Sequence, residues 1–190
     1  MSRALVLGHS WGASVAITLA LDHPQLVRGL ILESGYYYGS VRADVVLMSG
    51  PALPLVGDIM RYTVSPLVAR LLWPAMIRKL FSPAPVAATF GDVPSEMAIR
   101  PSQLRASAAE SALMIPDALA MQSRYQELSM PVAIVAGTGD KMVDLDNQAL
   151  RLHRALSGSS LHVVEGCGHM VHHTAPNVVM AAVDTAAQAP

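Results

Sequence analysis

The chain has 190 residues, with 13 basic and 14 acidic side chains, 52% hydrophobic residues and a mean hydropathy of +0.39. This length fits one domain, and the apolar content suffices for a buried core, which excludes a mainly disordered chain. The net charge of −1 and the scattered Arg and Lys residues give no basic surface for a phosphate backbone, so we expect no nucleic-acid partner. The single cysteine, Cys167, excludes an internal disulfide, and we expect a cytoplasmic location.

An uncharged stretch follows Arg3 and extends from Ala4 to Leu21. Its length is that of a membrane span or a signal segment. Small and polar residues between Gly8 and Ser14 interrupt its first half, and no small-residue cleavage site follows it. We therefore expect no signal peptide and no stable membrane insertion.

The same stretch has the pattern of a strand, a tight turn and a helix. Residues 3–7 are apolar and favour a strand, and the apolar residues from Gly12 onward have helical spacing up to Pro24, which ends the helix. Gly29 to Leu32 reads as a second buried strand. A strand, helix and strand in this order predict two parallel strands.

The composition changes in the middle of the chain. Most prolines and methionines fall between residues 41 and 131, where segments 64–80 and 101–120 have helical patterns. We interpret residues 40–128 as a helical insertion. Beyond it the sequence predicts a strand at 132–136, a helix at 145–156, a strand at 161–164 and a helix at 175–187. The expected fold is therefore α/β, with about four mostly parallel strands flanked by helices.

The pentapeptide from Gly8 to Gly12 has the form G-x-S-x-G and lies between a predicted strand and a predicted helix. In that context the serine occupies a sharp turn, and we expect both glycines to be required because a Cβ would clash there. Ser10 would be exposed at the carboxyl end of the strand. A serine hydroxyl is a poor nucleophile unless a histidine, oriented by a carboxylate, removes its proton.

Asp140 and His169 follow the third and fourth predicted strands, so both should lie at the same edge of the sheet as Ser10. Their order along the chain, Ser then Asp then His, is one of three known orders for such a triad. Asp144 and Glu33 remain alternatives for the acid, since Asp144 lies near Asp140 and Glu33 follows the second strand.

These motifs resemble the α/β-hydrolase superfamily, in its cap-bearing serine hydrolase branch. The resemblance rests on residues 8–12, on residues 139–143 and on residues 168–169. It implies that Ser10 is the nucleophile, His169 the base, Asp140 the orienting acid and the Trp11 backbone N–H an oxyanion donor. It also implies a core formed by residues 1–39 and 129–190, a cap or lid at 40–128, and no metal or organic cofactor.

The implied reaction is hydrolysis of a small apolar ester-type substrate through an acyl-serine intermediate. Contacts to that substrate are expected from His9, Tyr36 and Met170. A C–C bond hydrolase or a haloperoxidase-like perhydrolase would use the same three catalytic residues, and a non-catalytic fragment is a further alternative. A metal cluster at His169, His172 and His173 is a weaker alternative, and we expect the last two at the surface or at a pocket rim.

The chain departs from the family at its start. In relatives the nucleophile follows the fifth of eight strands, whereas the turn here already begins at Gly8. We therefore expect the N-terminal half of the sheet to be lacking, with one oxyanion donor fewer and impaired activity. The strand at residues 3–7 would then be an exposed apolar edge available for self-association.

Overall fold

The computed structural model describes residues 3–40, 48–91 and 93–189. Residues 41–47, with which the predicted insertion begins, lie outside the described residues. Four parallel strands form one sheet in the order β1-β2-β3-β4. Their bounds are Ala4–His9 for β1, Val27–Glu33 for β2, Val132–Gly137 for β3 and Ser160–Val164 for β4. The predicted α/β class with four parallel strands is confirmed.

Helices connect the strands and make up the described part of the insertion. The first crossover helix lies between β1 and β2, four helices with described bounds lie between β2 and β3, and the rest of those described flank β4. In chain order they are α1 Trp11–Asp22, α2 Val56–Tyr62, α3 Val64–Phe81, α4 Ser95–Ala98, α5 Pro101–Met121, α6 Arg151–Ala155, α7 Val171–Thr174 and α8 Pro176–Gln188. Short 3₁₀ turns lie at Pro24–Leu26, Gly50–Ala52, Ala88–Phe90 and Tyr125–Glu127.

Apolar clusters cover both faces of the sheet. On one face α1, Tyr37 and Tyr125 pack with Leu152 of α6. On the other face α7 and α8 pack on alternate residues of the central strands. Strands buried on both sides read as continuous apolar runs, which is why β2 and β3 were recognisable in the sequence. All four strands are parallel, so their carboxyl ends share one edge of the sheet.

The edge strand β1 pairs only with β2 among the described strands. Its register aligns Leu7 with Ile31 and His9 with Glu33. Leu7 is 46% exposed, whereas Ile31 is buried. In the part of the chain that the structure describes, the outer edge of β1 thus has backbone groups without a neighbouring strand, beside exposed apolar side chains such as that of Leu7.

The described part of the insertion is helical. Apolar side chains on α2 and α3 are exposed, including those of Ile59 and Leu71. The far end of α5 reaches the core, where Met121 accepts a hydrogen bond from Thr18 of α1. The far end of α3 buries Phe81. None of the helices in the described ranges is both long and apolar enough to cross a bilayer.

The predicted helix at 145–156 begins differently in the structure. A π-helical turn spans Asp146–Leu150, and α6 begins only at Arg151. The wide turn directs Gln148 into the core. There its Oε1 accepts the N–H groups of Tyr37 at 2.6 Å and Tyr38 at 2.8 Å, and its Nε2 donates to the Tyr38 carbonyl at 2.9 Å. The departure from a regular helix is explained by the buried backbone groups of Tyr37 and Tyr38, which require hydrogen-bond partners.

Candidate active site

Ser10 occupies a strained turn between β1 and α1. Its φ of 53° and ψ of −120° are values that L residues rarely adopt and that often mark functional positions. The Ser10 N–H donates to the Glu33 carbonyl at 2.9 Å, which ties the turn to the end of β2. A Cβ at Gly8 would overlap the Gly12 backbone, but one at Gly12 would meet no atom within 4 Å. The predicted steric reason is therefore correct for Gly8 and wrong for Gly12.

Trp11 is the first residue of α1. The first N–H groups of a helix have no intrahelical acceptor, and they carry a partial positive charge. The Ala13 N–H already bonds back to the Ser10 carbonyl at 3.1 Å. The Trp11 N–H thus lies at the N-terminus of α1, directly after the strained serine.

His169 and Asp140 form a buried pair. The His169 Nδ1 lies 2.8 Å from Asp140 Oδ2, and the side chains are 5% and 3% exposed. The other oxygen, Oδ1, accepts the N–H groups of Met142 at 2.7 Å and Val143 at 3.0 Å. A carboxylate can only accept, so Nδ1 of His169 carries a proton, and in the neutral ring the lone pair is then on Nε2. That is the tautomer a general base needs.

The alternative acids have other partners. Asp144 Oδ1 accepts the Asn147 N–H at 2.8 Å and caps the π-helical turn. Glu33 bonds to His172. Of the three candidate carboxylates, the structure brings Asp140 to His169.

Backbone contacts fix the segment around His169. The His169 N–H donates to the Leu80 carbonyl at the end of α3, at 2.9 Å. A Cβ on Gly168 would lie 2.5 Å from the Ser82 carbonyl oxygen, so only glycine permits this approach. Cys167 is buried, and burial raises the pKa of its thiol. The insertion is therefore in direct contact with residues 167–172, called the base segment below after the role expected for His169.

The structure records no hydrogen bond between the Ser10 hydroxyl and the His169 ring within the described residues. The ring of His9, the residue preceding Ser10, lies 4.8 Å from that of His169 between centroids. Ser10 and His169 therefore lie at the same edge of the sheet. Hydrogen bonds between such groups are often long or absent until substrate binds.

A second polar cluster lies beside this pair, and sequence analysis did not predict it. Glu33 is fully buried, and its Oε1 accepts both the backbone N–H and the Nδ1–H of His172, each at 2.7 Å. The His172 side chain is 34% exposed, at the border of the buried Glu33 carboxylate to which it bonds. His173 packs its ring against Phe90 at 5.3 Å. One sequence feature could have indicated this cluster: Glu33 ends a buried strand, and a buried carboxylate requires hydrogen-bond donors nearby.

His9 connects the two clusters. Its Nε2 lies 3.0 Å from the His169 carbonyl, and its ring is 4.6 Å from that of His172. Burial lowers the pKa of His9 to about 4; the Glu33 carboxylate opposes this shift, and the His169 and His172 rings add to it. The imidazole is therefore neutral at neutral pH. Because a carbonyl oxygen only accepts, the proton of His9 is on Nε2.

His9, Glu33 and His172 are the described residues whose donor atoms come near enough to consider a metal ion. Their ligand atoms lie within 4.8 Å of one another. Tetrahedral zinc, with bonds of about 2.0–2.1 Å to nitrogen, places its ligands only about 3.4 Å apart. His172 and Glu33 also bond to each other, and His169 bonds to Asp140. These side chains form hydrogen-bonded pairs rather than a preformed zinc site.

The three residues predicted to contact the substrate, Tyr36, Met170 and His9, have different surroundings in the structure. Tyr36 borders a cavity of about 600 Å³ that also touches Asp140, Lys141 and Arg151. Its hydroxyl bonds to Ser40 Oγ at 2.8 Å. Met170 is half-buried just before α7, and His9 bonds to the base segment as described.

The alpha/beta hydrolase fold family matches residues 2–176. An uncharacterized protein of Mycobacterium tuberculosis strain H37Rv is 30% identical over 187 residues, covering 93% of this chain and 53% of that protein. The 2-hydroxy-6-oxononadienedioate/2-hydroxy-6-oxononatrienedioate hydrolase 2 of Pseudomonas putida is 29% identical over 172 residues, covering 89% and 57% respectively. The chain thus spans about half the length of the curated relatives it matches.

Among solved structures, an alpha/beta hydrolase fold protein from Burkholderia ambifaria superimposes with a TM-score of 0.72 at 22% identity. The superposition covers 96% of this chain and 66% of that protein. At this identity the likeness establishes the fold alone. Together with the family match over most of its length, it shows that the chain belongs to the alpha/beta hydrolase fold family.

Proposed function

We propose that the chain is a serine hydrolase that cleaves a small apolar ester-type substrate through an acyl-serine intermediate. The observation that carries this proposal is the buried hydrogen bond between His169 Nδ1 and Asp140 Oδ2, at the sheet edge that holds the strained Ser10. Family membership supports hydrolysis in general. The nucleophile, base and acid roles are our assignment.

In the proposed reaction the Ser10 oxygen attacks the ester carbonyl while His169 Nε2 takes the hydroxyl proton. The Asp140 carboxylate stabilises the imidazolium that forms, and the Trp11 N–H donates to the oxyanion. His169 then gives its proton to the departing alcohol, leaving an acyl-serine. Water attacks this ester with His169 again acting as base, and the acid product leaves Ser10 free.

The apolar substrate class is supported by the insertion. Its helices α2 and α3 carry exposed Leu, Ile and Val side chains, and the end of α3 contacts the base segment. Most charged groups described on these helices are paired, as Arg61 is with Asp58 and Arg70 with Glu96. The whole insertion, residues 40–128, has eight basic and seven acidic side chains, so such a lid offers apolar contact and little net charge for a multiply charged substrate.

A second candidate is hydrolysis of a C–C bond, favoured by the similarity to the Pseudomonas putida enzyme whose name specifies a 2-hydroxy-6-oxo dienedioate. The same three residues would serve it. Product analysis separates the two candidates. The chain is given a short p-nitrophenyl ester in one assay and a vinylogous diketone in the other. Cleavage of the diketone with little ester turnover would favour the second candidate.

The primary test is intact-mass analysis after exposure to a fluorophosphonate. We expect one adduct on the unaltered chain and on Ser102→Ala, an exposed control serine on α5, and none on Ser10→Ala. Burst kinetics with the p-nitrophenyl ester should show the same pattern. Folded protein without an adduct would contradict the proposal and favour a non-catalytic chain.

A further inference from the structure

Two residues outside the proposed triad hold the segment that carries the base. We propose that Glu33 and His9 are positioning residues that set the separation between Ser10 and His169. This inference rests on the proposed function, because it concerns the same nucleophile and base. It assigns a role to a buried carboxylate and a partly buried imidazole that the proposed reaction does not otherwise use.

Glu33 is bonded both to Ser10 and to His172, which lies three residues beyond His169. Its carbonyl accepts the Ser10 N–H at 2.9 Å, and its Oε1 accepts the His172 N–H at 2.7 Å. The His172 Nδ1–H reaches the same oxygen at 2.7 Å. One residue at the end of β2 therefore fixes the main chain of the nucleophile and the main chain just beyond the base.

His9 makes the complementary contact. It precedes the nucleophile, pairs with Glu33 in the β1–β2 register, and donates from Nε2 to the His169 carbonyl at 3.0 Å. The base segment is thus held at two carbonyl or amide groups, at His169 and at His172. The first contact comes from His9 at the end of β1, and the second comes from Glu33 at the end of β2.

Asp140 cannot supply this restraint by itself. It fixes the His169 ring through Nδ1, but it belongs to the loop after β3 and has no described hydrogen bond to the Ser10 turn. An imidazole correctly oriented yet displaced by about 1 Å from the nucleophile loses about 100-fold in rate. The Leu80 carbonyl also holds His169, but the Glu33 and His9 contacts are the described ones that tie this segment to the Ser10 turn and oppose such a displacement.

The test compares rate constants for fluorophosphonate labelling of the full chain. His9→Phe keeps an aromatic ring and removes the donor, so we expect labelling to slow by about 100-fold. His9→Gln offers an amide N–H and should restore the rate to within about 10-fold of the unaltered chain. His23→Phe, at the exposed end of α1 opposite to Ser10, is the control and should label at the unaltered rate.

For Glu33 the matched pair is Glu33→Gln and Glu33→Leu. The amide oxygen of glutamine still accepts both His172 donors, so most of the labelling rate should remain. Leucine accepts neither, and the rate should fall by about 100-fold in protein whose circular dichroism shows it to be folded. Equal rates for His9→Phe, Glu33→Leu and the unaltered chain would overturn the inference.

A measurement independent of reactivity separates this inference from the proposed function. In ¹⁵N-histidine-labelled protein, NMR should show neutral His9 with its proton on Nε2, and a shift of the His169 ring signals in His9→Phe but not in His9→Gln. Signals for the other His9 tautomer, or unchanged His169 signals, would overturn positioning. Failure of the proposed function appears instead as equal labelling of the unaltered chain and Ser10→Ala.

Discussion

At the scale of single residues, the Asp140 carboxylate accepts three hydrogen bonds, from His169 and from the N–H groups of Met142 and Val143. Asp140→Asn replaces one acceptor by an NH₂ group. The amide oxygen can satisfy the loop N–H groups only if the NH₂ faces His169, which then adopts the unproductive tautomer. We expect ester hydrolysis to fall by about 10⁴-fold with the fold retained, measured by steady-state kinetics.

Asp144→Asn is the matched control for that experiment. Asp144 caps the π-helical turn through Asn147 N–H, and asparagine is an equally good cap. Its activity should therefore equal that of the unaltered chain. A loss as large as that of Asp140→Asn would assign the acid role to Asp144.

His9 links protonation to stability. Its pKa is lowered from 6.5 to about 4 by burial, with His169 and His172 adding to the shift and Glu33 opposing it. The unfolded chain therefore binds a proton at a higher pH than the folded chain. The free energy of unfolding should decrease as the pH falls from about 6.5 to 4, by up to about 3 kcal/mol from this residue.

Urea unfolding between about pH 7 and pH 4 measures this decrease. His9→Gln has no titrating ring and should lose less stability over that window. Gln103→Leu, which changes no titrating group, should follow the unaltered chain. Identical pH profiles for His9→Gln and the unaltered chain would show that His9 is not buried as a neutral imidazole.

At the scale of elements, the π-helical turn serves the loop after β2. Gln148 satisfies three backbone groups of Tyr37 and Tyr38 inside the core. Gln148→Leu leaves these groups unpaired and should lower the free energy of unfolding by about 3 kcal/mol or more. Chemical denaturation measures the loss, and Gln103→Leu, at an exposed position of α5, should change stability by less than about 0.5 kcal/mol.

Regular elements were predictable because their signals are local. The apolar run of β3 and the glycine that follows it are adjacent in the sequence, and the strand was placed to within a residue at Val132–Gly137. The π-helical turn depends on a loop at Tyr37 and Tyr38, more than a hundred residues away, so its local pattern read as ordinary helix. Strand ends likewise indicated where Asp140 and His169 should meet.

The Glu33–His172 pair could not be read from the sequence in the same way. Its members lie 139 residues apart, and the sequence does not distinguish which histidine near His169 would bond to Glu33. Only the packing of α7 against the end of β2 selects His172. Contacts of this kind depend on tertiary structure rather than on periodicity.

At the scale of the whole molecule, we propose that the outer edge of β1 mediates self-association. Leu7 is 46% exposed there. Leu7→Lys adds a charge that disfavours strand pairing, so it should shift the sedimentation-velocity distribution toward monomer. Val15→Lys, at an exposed position of α1, is the control. A wild-type chain that stays monomeric at high concentration would contradict the proposal.

Cys167 gives the molecule a built-in reporter. This sole thiol of the sequence is buried immediately before the Gly168–His169 segment, and burial raises its pKa. An alkylating reagent needs an accessible thiolate, so it can react only when that segment opens. Thiol modification therefore times the opening of the base segment without any introduced label. Alkylation of Cys167 reports the opening of this segment, and fluorophosphonate labelling of Ser10 reports the reactivity of the proposed nucleophile.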